Sequence, residues 1–389
     1  MAPLLYLDHA ASTPPSDAVV DAMGRAARDF FANPSSAHGP GAAASRALEG
    51  ARQTVAEALG AGAQEIVFTS GGTEANALAV AGVAARSRGR HVLVSALEHP
   101  AVLRNVQALA ARGWEVEAVA PDGRGVVPVE AFAAALRPDT GLVCLMAVNN
   151  ELGTLQPCGE LGALLAARGR PGQRPHLHVD AVQAWGHVPV SPVRLGADSL
   201  ALSAHKIYGP KGAGALWVRP GARLAPIWEG GGQERGMRSG TENVPALVGF
   251  AVAASALRNR GAAAWEAWGA RRDRFEARCL HLVPQARATV TPGPRAPHIA
   301  SLRLSDLPAE PLLHALEARG VIASAGSACA SRAKGQSHVL RAVGVPERDA
   351  VLRFSPGPDT SDEELGRAAE ALADAVAEIA GVAKKAPVR

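Results

Sequence analysis

Apolar and polar positions between residues 15 and 220 follow two alternating periodicities. Short apolar runs, which are typical of buried strands, occur at 65–70, 91–96, 114–120, 141–148, 176–180, 197–203 and 214–218. Helical periodicity lies between them over 41–59, from 73, from 100 and over 129–136. Short apolar strands separated by helices are typical of sheets covered on both faces. The pattern therefore predicts an α/β fold with a mostly parallel sheet.

The pattern changes beyond about residue 250. Its predicted elements are a long helical stretch over 243–282 interrupted at Gly261, strands near 286–291 and 298–304, a helix over 309–319 and a closing helix over 361–380. This order is typical of a smaller α/β unit. We therefore expect a large cofactor-binding domain over 14–250 and a small domain built from 1–13 and 251–389.

Composition narrows the classes of function. Net charge is only +4 and the longest uncharged apolar run, 244–257, is too short to cross a bilayer, so we expect neither direct nucleic-acid binding nor a membrane span. The four cysteines lack metal-site spacing, and the alternating HLH at 176–178 is typical of a strand, so no metal is expected. Scattered thiols and an N-terminus without a basic leader predict a cytoplasmic protein.

Lysine is rare in this chain. Only five of the 40 basic residues are Lys, and two of them, Lys206 and Lys211, lie within AHKIYGPKG at 204–212. An amine can lose its proton and act as a nucleophile, which a guanidinium cannot do. Lys206 directly follows a predicted strand and is therefore the stronger candidate for chemistry, with a surface lysine as the alternative.

Polar residues follow several other predicted strands, where ligands bind in open parallel sheets. Gly72 and Thr73 open a helix, which indicates either a plain helix cap or an anion site. Asp180, at a strand end, is either a helix cap or the partner of a ligand cation, and Asn150 follows another strand. An anion site, an amine and a carboxylate together predict pyridoxal phosphate, whose aldehyde condenses with the amine.

Ten sequence motifs resemble the cysteine desulfurases of the NifS/IscS type, in the class V aminotransferase group of pyridoxal phosphate enzymes. They extend over nearly the whole chain: YLDHAAST (6–13), NPSSAHGPG (33–41), FTSGGTEAN (68–76), EHPAV (98–102), VNNELG (148–153), HVDAVQ (178–183), SAHKIYGPKG (203–212), GGGQERGMRSGTENVP (230–245), GSACAS (326–331) and LRFS (352–355). The resemblance implies the fold of pyridoxal phosphate enzymes of fold type I.

The resemblance also implies roles for individual residues. Lys206 would hold the cofactor covalently, Cys329 would accept the substrate's sulfur, and His99 would stack on the cofactor ring and move protons. Arg353 and Asn150 would bind the carboxylate of the substrate, L-cysteine. The implied cofactor-binding residues are Gly72, Thr73, Asn150, Asp180, Gln183, Ser203, His205 and, from the neighbouring subunit of a homodimer, Thr241.

The implied reaction converts L-cysteine to L-alanine and leaves a persulfide on Cys329 for an acceptor protein, such as an iron–sulfur scaffold. The Cys329 thiol must lose its proton to react, and Arg332, Lys334 or a proton relay through His99 are the alternative groups that could promote this. The C-terminal tail does not resemble the segment with which relatives dock a scaffold, so the identity of the acceptor stays open. Two other functions remain open at this stage, a related lyase or aminotransferase acting on selenocysteine or another amino acid, and a partner-binding homologue without turnover.

Overall fold

The computed structural model of this chain describes residues 4–170, 173–258, 260–326 and 335–385. The helices in these ranges are α1 (Asp17–Asp29), α2 (Gly39–Leu59), α3 (Gly72–Arg86), α4 (Pro100–Ala110), α5 (Val129–Ala135), α6 (Cys158–Ala166), α7 (Val244–Leu257), α8 (Ala262–Leu282), α9 (Ala309–Ala318), α10 (His338–Ala342) and α11 (Asp362–Lys385). The strands are β1 (Leu5–Tyr6), β2 (Ile66–Thr69), β3 (His91–Ser95), β4 (Glu115–Val119), β5 (Thr140–Cys144), β6 (His176–Asp180), β7 (Ser199–Ser203), β8 (Gly214–Val218), β9 (Ala286–Ala288), β10 (Ala300–Leu304), β11 (Val321–Ile322) and β12 (Ala350–Phe354).

The largest sheet has seven strands in the order β2-β8-β7-β6-β5-β3-β4. Strand β8 is antiparallel to both of its neighbours, and the remaining neighbours pair in parallel. The predicted mostly parallel sheet is therefore confirmed. Its strands are apolar on both faces because each face has its own core. Leu93 contributes to one core, whereas its neighbours Val92 and Val94 contribute to the other.

The remaining strands are β1, at the start of the described residues, and β9 to β12, which follow the large sheet in the sequence. Strands β12, β10 and β9 form an antiparallel sheet, and β1 pairs in parallel with β11. A separate apolar core contains Leu7 and residues of β10, β12, α8, α9 and α11. The predicted interruption at Gly261 is confirmed, because α7 and α8 are separate helices. The division into two domains at the stated boundaries stays a prediction.

Several predicted elements have different bounds in the structure, such as the strand expected near 286–291, which ends at Ala288. The strand expected over 141–148 ends at Cys144, although Leu145 and Ala147 still donate backbone hydrogen bonds to β6 residues. The closing helix expected to stop at 380 continues to Lys385. Gly381 does not end it, since one glycine among good helix formers costs only about 1 kcal/mol. The apolar run at 244–257 forms α7, which packs on α1 and α2, and no helix among the described residues could cross a membrane.

Candidate active site

A cavity of about 190 Å³ lies beyond the carboxyl ends of the parallel strands. Its lining comes from the segments after β2, β3, β5, β6 and β7, together with the N-terminal segment and β12. Ten of the residues singled out from the sequence line it: Gly72, Thr73, His99, Asn150, Asp180, Gln183, Ser203, His205, Lys206 and Arg353. Gly72, Thr73, Asn150, Asp180 and Lys206 were expected here because ligands bind beyond strand ends, and the other five were implied by the family resemblance.

Asp180, the last residue of β6, is held in a fixed orientation by two donors. Its Oδ1 accepts from the backbone N–H of Val182 at 2.9 Å, and its Oδ2 accepts from Asn76 Nδ2 at 2.8 Å. Asn76 Oδ1 lies 2.8 Å from His178 Nε2, whose other ring nitrogen lies 2.9 Å from Ser199 Oγ. Burial lowers the pKa of His178 to about 3, so its ring is neutral at neutral pH. The chain of bonds aims a buried carboxylate at the cavity.

Another part of the cavity wall is suited to an anion. Helix α3 begins there at Gly72, and no side chain caps its N-terminus. A Cβ on Gly72 would lie 2.6 Å from Val182 Cγ2, so the close approach of the helix to the end of β6 needs glycine. Ser203 Oγ is buried and has no hydrogen-bond partner among the described residues. Burial, helped by the positive charge of Lys206, lowers the pKa of His205 to about 4.

Lys206 closes a short 3₁₀ turn that follows β7. Its Nζ donates to the carbonyl oxygens of Ala10 at 2.6 Å and Ala11 at 2.7 Å. Gln183 Nε2 donates to the same Ala10 oxygen at 2.6 Å, and Gln183 Oε1 lies 3.2 Å from His298 Nε2. The N-terminal segment thus fixes both the amine and the neighbouring amide at the cavity wall.

His99 precedes α4 and caps it. Its Nδ1 accepts the backbone N–H of Ala101 at 3.1 Å, so a neutral ring carries its proton on Nε2. Burial lowers the pKa of His99. The positive charge of Lys206 lowers this pKa further, whereas the negative charge of Asp180 raises it. His99 therefore offers the cavity a hydrogen-bond donor.

Arg353 is a buried cation on β12, with a side chain that is 2% exposed. Its Nη2 donates to Asp8 Oδ1 and its Nη1 to the backbone oxygen of Asn150, both at 2.7 Å. Its Nε has no partner among the described residues. An arginine held in this way, with an unused N–H beside the cavity, can bind a carboxylate.

One described residue singled out from the sequence, Thr241, does not line this cavity. Thr241 is exposed and lines a separate cavity of about 170 Å³, together with Ser70 and Arg238. Cys329, like the nearby Arg332 and Lys334, lies outside the described residues. No group of three or more metal-ligating side chains occurs within the part of the chain that the structure describes.

The residues present fit pyridoxal phosphate. An uncapped helix N-terminus and the unpartnered Ser203 hydroxyl match a phosphate, and the Asp180 carboxylate matches a protonated ring nitrogen. Lys206 supplies the amine between them. Asn76, Asp8 and His298 complete the surroundings of the site but were not singled out from the sequence. The first two lie inside the FTSGGTEAN and YLDHAAST motifs, which was the only signal available.

Over residues 5–367 the chain matches the aminotransferase class-V family. It belongs to that family. The cysteine desulfurase IscS 1 of Archaeoglobus fulgidus is 40% identical over 374 residues, covering 94% of this chain and 95% of that protein. A solved NifS-like protein superimposes with a TM-score of 0.89 at 33% identity, covering 96% of this chain and all of the other. A structure described as SspA in complex with cysteine gives a TM-score of 0.79 at 32% identity, covering 92% and 100%.

These likenesses confirm the resemblance to cysteine desulfurases that the motifs indicated. They also confirm the fold class, since the class-V aminotransferase fold combines a large, mostly parallel sheet with flanking helices. Enzymes of this family and its cysteine desulfurases depend on pyridoxal phosphate.

Proposed function

We propose that this class-V aminotransferase is a pyridoxal phosphate-dependent cysteine desulfurase, which converts L-cysteine to L-alanine and transfers the sulfur through Cys329. The observation that carries the proposal is the convergence of Lys206, Asp180, Ser203 and Arg353 on one cavity. An amine, a buried carboxylate, an anion-binding end and a carboxylate-binding cation are the groups that such a reaction needs.

The cofactor's own chemistry is to capture amines through its aldehyde and to withdraw electrons from the adjacent carbon. Asp180, oriented by Asn76 and the Val182 N–H, keeps the ring nitrogen protonated. The N-terminus of α3, with Thr73, Ser203 and His205, holds the phosphate. These groups fix the position of the cofactor before the substrate arrives.

Lys206 provides the amine that the substrate's amino group displaces. Its two carbonyl acceptors come from the N-terminal segment, so its Nζ is already placed beside Gln183. His99 would lie against the bound cofactor, and its neutral ring would donate from Nε2, because its Nδ1 accepts from α4. The Lys206 amine would also be the group that moves the proton at the substrate's α-carbon.

Arg353 and Asn150 bind the carboxylate of cysteine and so set the direction in which its thiol points. The guanidinium is already oriented by Asp8 and by the Asn150 backbone oxygen, which lowers the entropy that binding must remove. Three of its five N–H groups are left, among them that of Nε, and can pair with an incoming carboxylate. The substrate is thus oriented by its carboxylate and its amine together.

Cys329 then accepts the sulfur. Its thiolate attacks the substrate's sulfur, a sulfur–sulfur bond forms, and the bond between that sulfur and the β-carbon breaks. The electron pair of the broken bond goes to the organic fragment, which takes up protons and leaves as alanine. The enzyme keeps a persulfide and no external oxidant is needed. The motif GSACAS at 326–331 supports this role for Cys329, with Arg332, Lys334 or His99 as candidate activators of the thiolate.

The proposal includes a homodimer and a protein acceptor. Thr241 is exposed and does not line the cavity of its own chain, which supports a contribution to the partner subunit's phosphate site. An acceptor such as an iron–sulfur scaffold would collect the persulfide. A reducing compartment such as the cytoplasm suits this chemistry, because Cys329 must start as a thiol.

The purified protein, loaded with pyridoxal phosphate and given L-cysteine with dithiothreitol, should release alanine and sulfide in equal amounts. Lys206→Ala should release neither, whereas Cys329→Ala should keep the cofactor's visible absorption but lose sulfide release from cysteine. L-selenocysteine serves as the comparison substrate. Turnover of selenocysteine by both wild type and Cys329→Ala, with none of cysteine, would instead favour a selenocysteine lyase. A loaded protein that turns over neither substrate would contradict the proposal.

A further inference from the structure

Two buried histidines stack behind Gln183, outside the cavity. The rings of His187 and His298 have centroids 3.7 Å apart at an interplanar angle of 21°, and their exposed fractions are 2% and 0%. Burial lowers the pKa of both, to about 3 for His187 and well below the usual value for His298, and the positive charges of Lys206 and Arg353 act on His298 in the same direction. Both rings are therefore neutral, with one donor and one acceptor nitrogen each.

The hydrogen bonds of Gln183 fix the tautomer of His298. Gln183 Nε2 lies 2.6 Å from the Ala10 carbonyl oxygen, an arrangement that requires the nitrogen and not the oxygen of the amide at that position. Gln183 Oε1 therefore faces His298 Nε2 at 3.2 Å. Since Oε1 only accepts, His298 must donate Nε2–H, which leaves its Nδ1 unprotonated. That Nδ1 has no hydrogen-bond partner among the described residues.

This arrangement determines which group of Gln183 is left for the cavity. One amide hydrogen is used by Ala10 and the oxygen is turned to His298, so a second N–H remains. Gln183 lines the cavity that Lys206 and Asp180 also line. An N–H donor there stabilises a negatively charged oxygen, whereas a carbonyl in the same place would repel it.

We propose that His298 is a positioning residue, which donates to Gln183 and so fixes the amide with an N–H toward the ring oxygen of bound pyridoxal phosphate. The assignment rests on the proposed function, because it requires that cofactor in this cavity. His298 itself does not line the cavity and acts only through Gln183. His187 packs against His298 and supplies the matched control, since its ring has no hydrogen bond to Gln183 in the structure.

The test uses the spectrum of the loaded enzyme without substrate. The visible band changes when the proton shared between the ring oxygen and the nitrogen of Lys206 is lost, and a donor beside the oxygen favours that loss. His298→Phe should therefore raise the midpoint of the absorption titration by about 0.5–1 pH unit. His187→Phe, which keeps a stacked ring, should leave it unchanged, and His298→Gln, whose amide N–H replaces Nε2–H, should restore it.

Further variants separate the possible failures. In a Gln183→Ala background, His298→Phe should produce no additional shift, because the residue through which it acts is gone. If Phe at 298 prevents folding, as judged by circular dichroism, His298→Asn is too short to reach Gln183 and must raise the midpoint as well. A wild-type midpoint in a folded His298→Phe or His298→Asn variant overturns the assignment, as does an equal shift in His187→Phe. Loss of the proposed function is a different result, because wild type would then show no cofactor band or no turnover of cysteine.

Discussion

Removing Asn76 tests how the cavity holds Asp180. Asn76 donates to Asp180 Oδ2 at 2.8 Å and accepts from His178 at the same distance, with an exposed fraction of 1%. In Asn76→Ala the Asp180 carboxylate keeps only the Val182 N–H as a donor and relaxes to another orientation. Cofactor binding must then reverse that change before the ring nitrogen can be paired.

The magnitude follows from the bond that is lost. A hydrogen bond to a charged group contributes about 1.5–3 kcal/mol, and we take this range as the loss of binding free energy for the cofactor in Asn76→Ala. At about 1.4 kcal/mol for each factor of ten, the dissociation constant of pyridoxal phosphate should rise by about 10- to 150-fold. Asn76→Asp should be worse for turnover, because two adjacent carboxyl groups share one proton and Asp180 loses its charge.

The assay is a titration of each apoenzyme with pyridoxal phosphate, followed by visible absorption, with turnover of cysteine measured at saturating cofactor. Ser199→Ala is the matched control. It removes the contacts of Ser199 Oγ with His178 and with His176, and it leaves the bonds from Asn76 to His178 and to Asp180 in place. The affinity of Ser199→Ala for the cofactor should therefore stay within about twofold of wild type. Wild-type affinity and turnover in Asn76→Ala would refute the reasoning, and so would an equal loss in Ser199→Ala.

Three further predictions concern the dimer, the buried charges and pH. Thr241→Ala and Lys206→Ala should each lower turnover. Co-expression of the two variants should restore about half a wild-type site per dimer, averaged over all dimers. No recovery of turnover would instead place Thr241 in its own chain's site. Arg52 Nη1 lies 2.6 Å from Glu234 Oε2, so Arg52→Met leaves a buried carboxylate without its partner. The free energy of unfolding should fall by about 3–5 kcal/mol, which a lower urea midpoint would show. Adding Glu234→Gln should partly recover that midpoint. Burial raises the pKa of Glu151, so the folded chain loses stability as pH rises above the pKa of an unfolded Glu, about 4.3. Glu151→Gln should therefore gain stability relative to wild type as pH rises above that value, and melting temperatures of the two proteins that change in parallel with pH would contradict this.

The residues that sequence reasoning identified share a simple position in the fold. Asp180 ends β6 and Lys206 follows β7, and strand ends can be located from apolar runs alone. Parallel strands bring their carboxyl ends to one edge of the sheet, so residues far apart in the sequence were expected to meet there. The match of the motifs to a known family then gave each residue a role that spacing alone left open.

The residues that support the site could not be identified in this way. Asn76 contacts Asp180 across 104 positions, His298 contacts Gln183 across 115, and Asp8 contacts Arg353 across 345. Neither His298 nor Asp8 follows a predicted strand of the large sheet at its carboxyl end, and Asn76 is already the fifth residue of α3. Their partners depend on how elements that are far apart in the sequence pack together, and local periodicity contains no information on that packing.

The most direct test of the central proposal is the mass of the peptide that contains Cys329. The loaded enzyme, mixed with L-cysteine in the absence of reductant and then treated with a thiol-alkylating reagent, should yield this peptide with the mass of one extra sulfur atom, together with one alanine released per sulfur retained. Lys206→Ala should give the peptide without the addition. Extra sulfur on Cys144, Cys158 or Cys279, with Cys329 unmodified while alanine accumulates, would contradict the account.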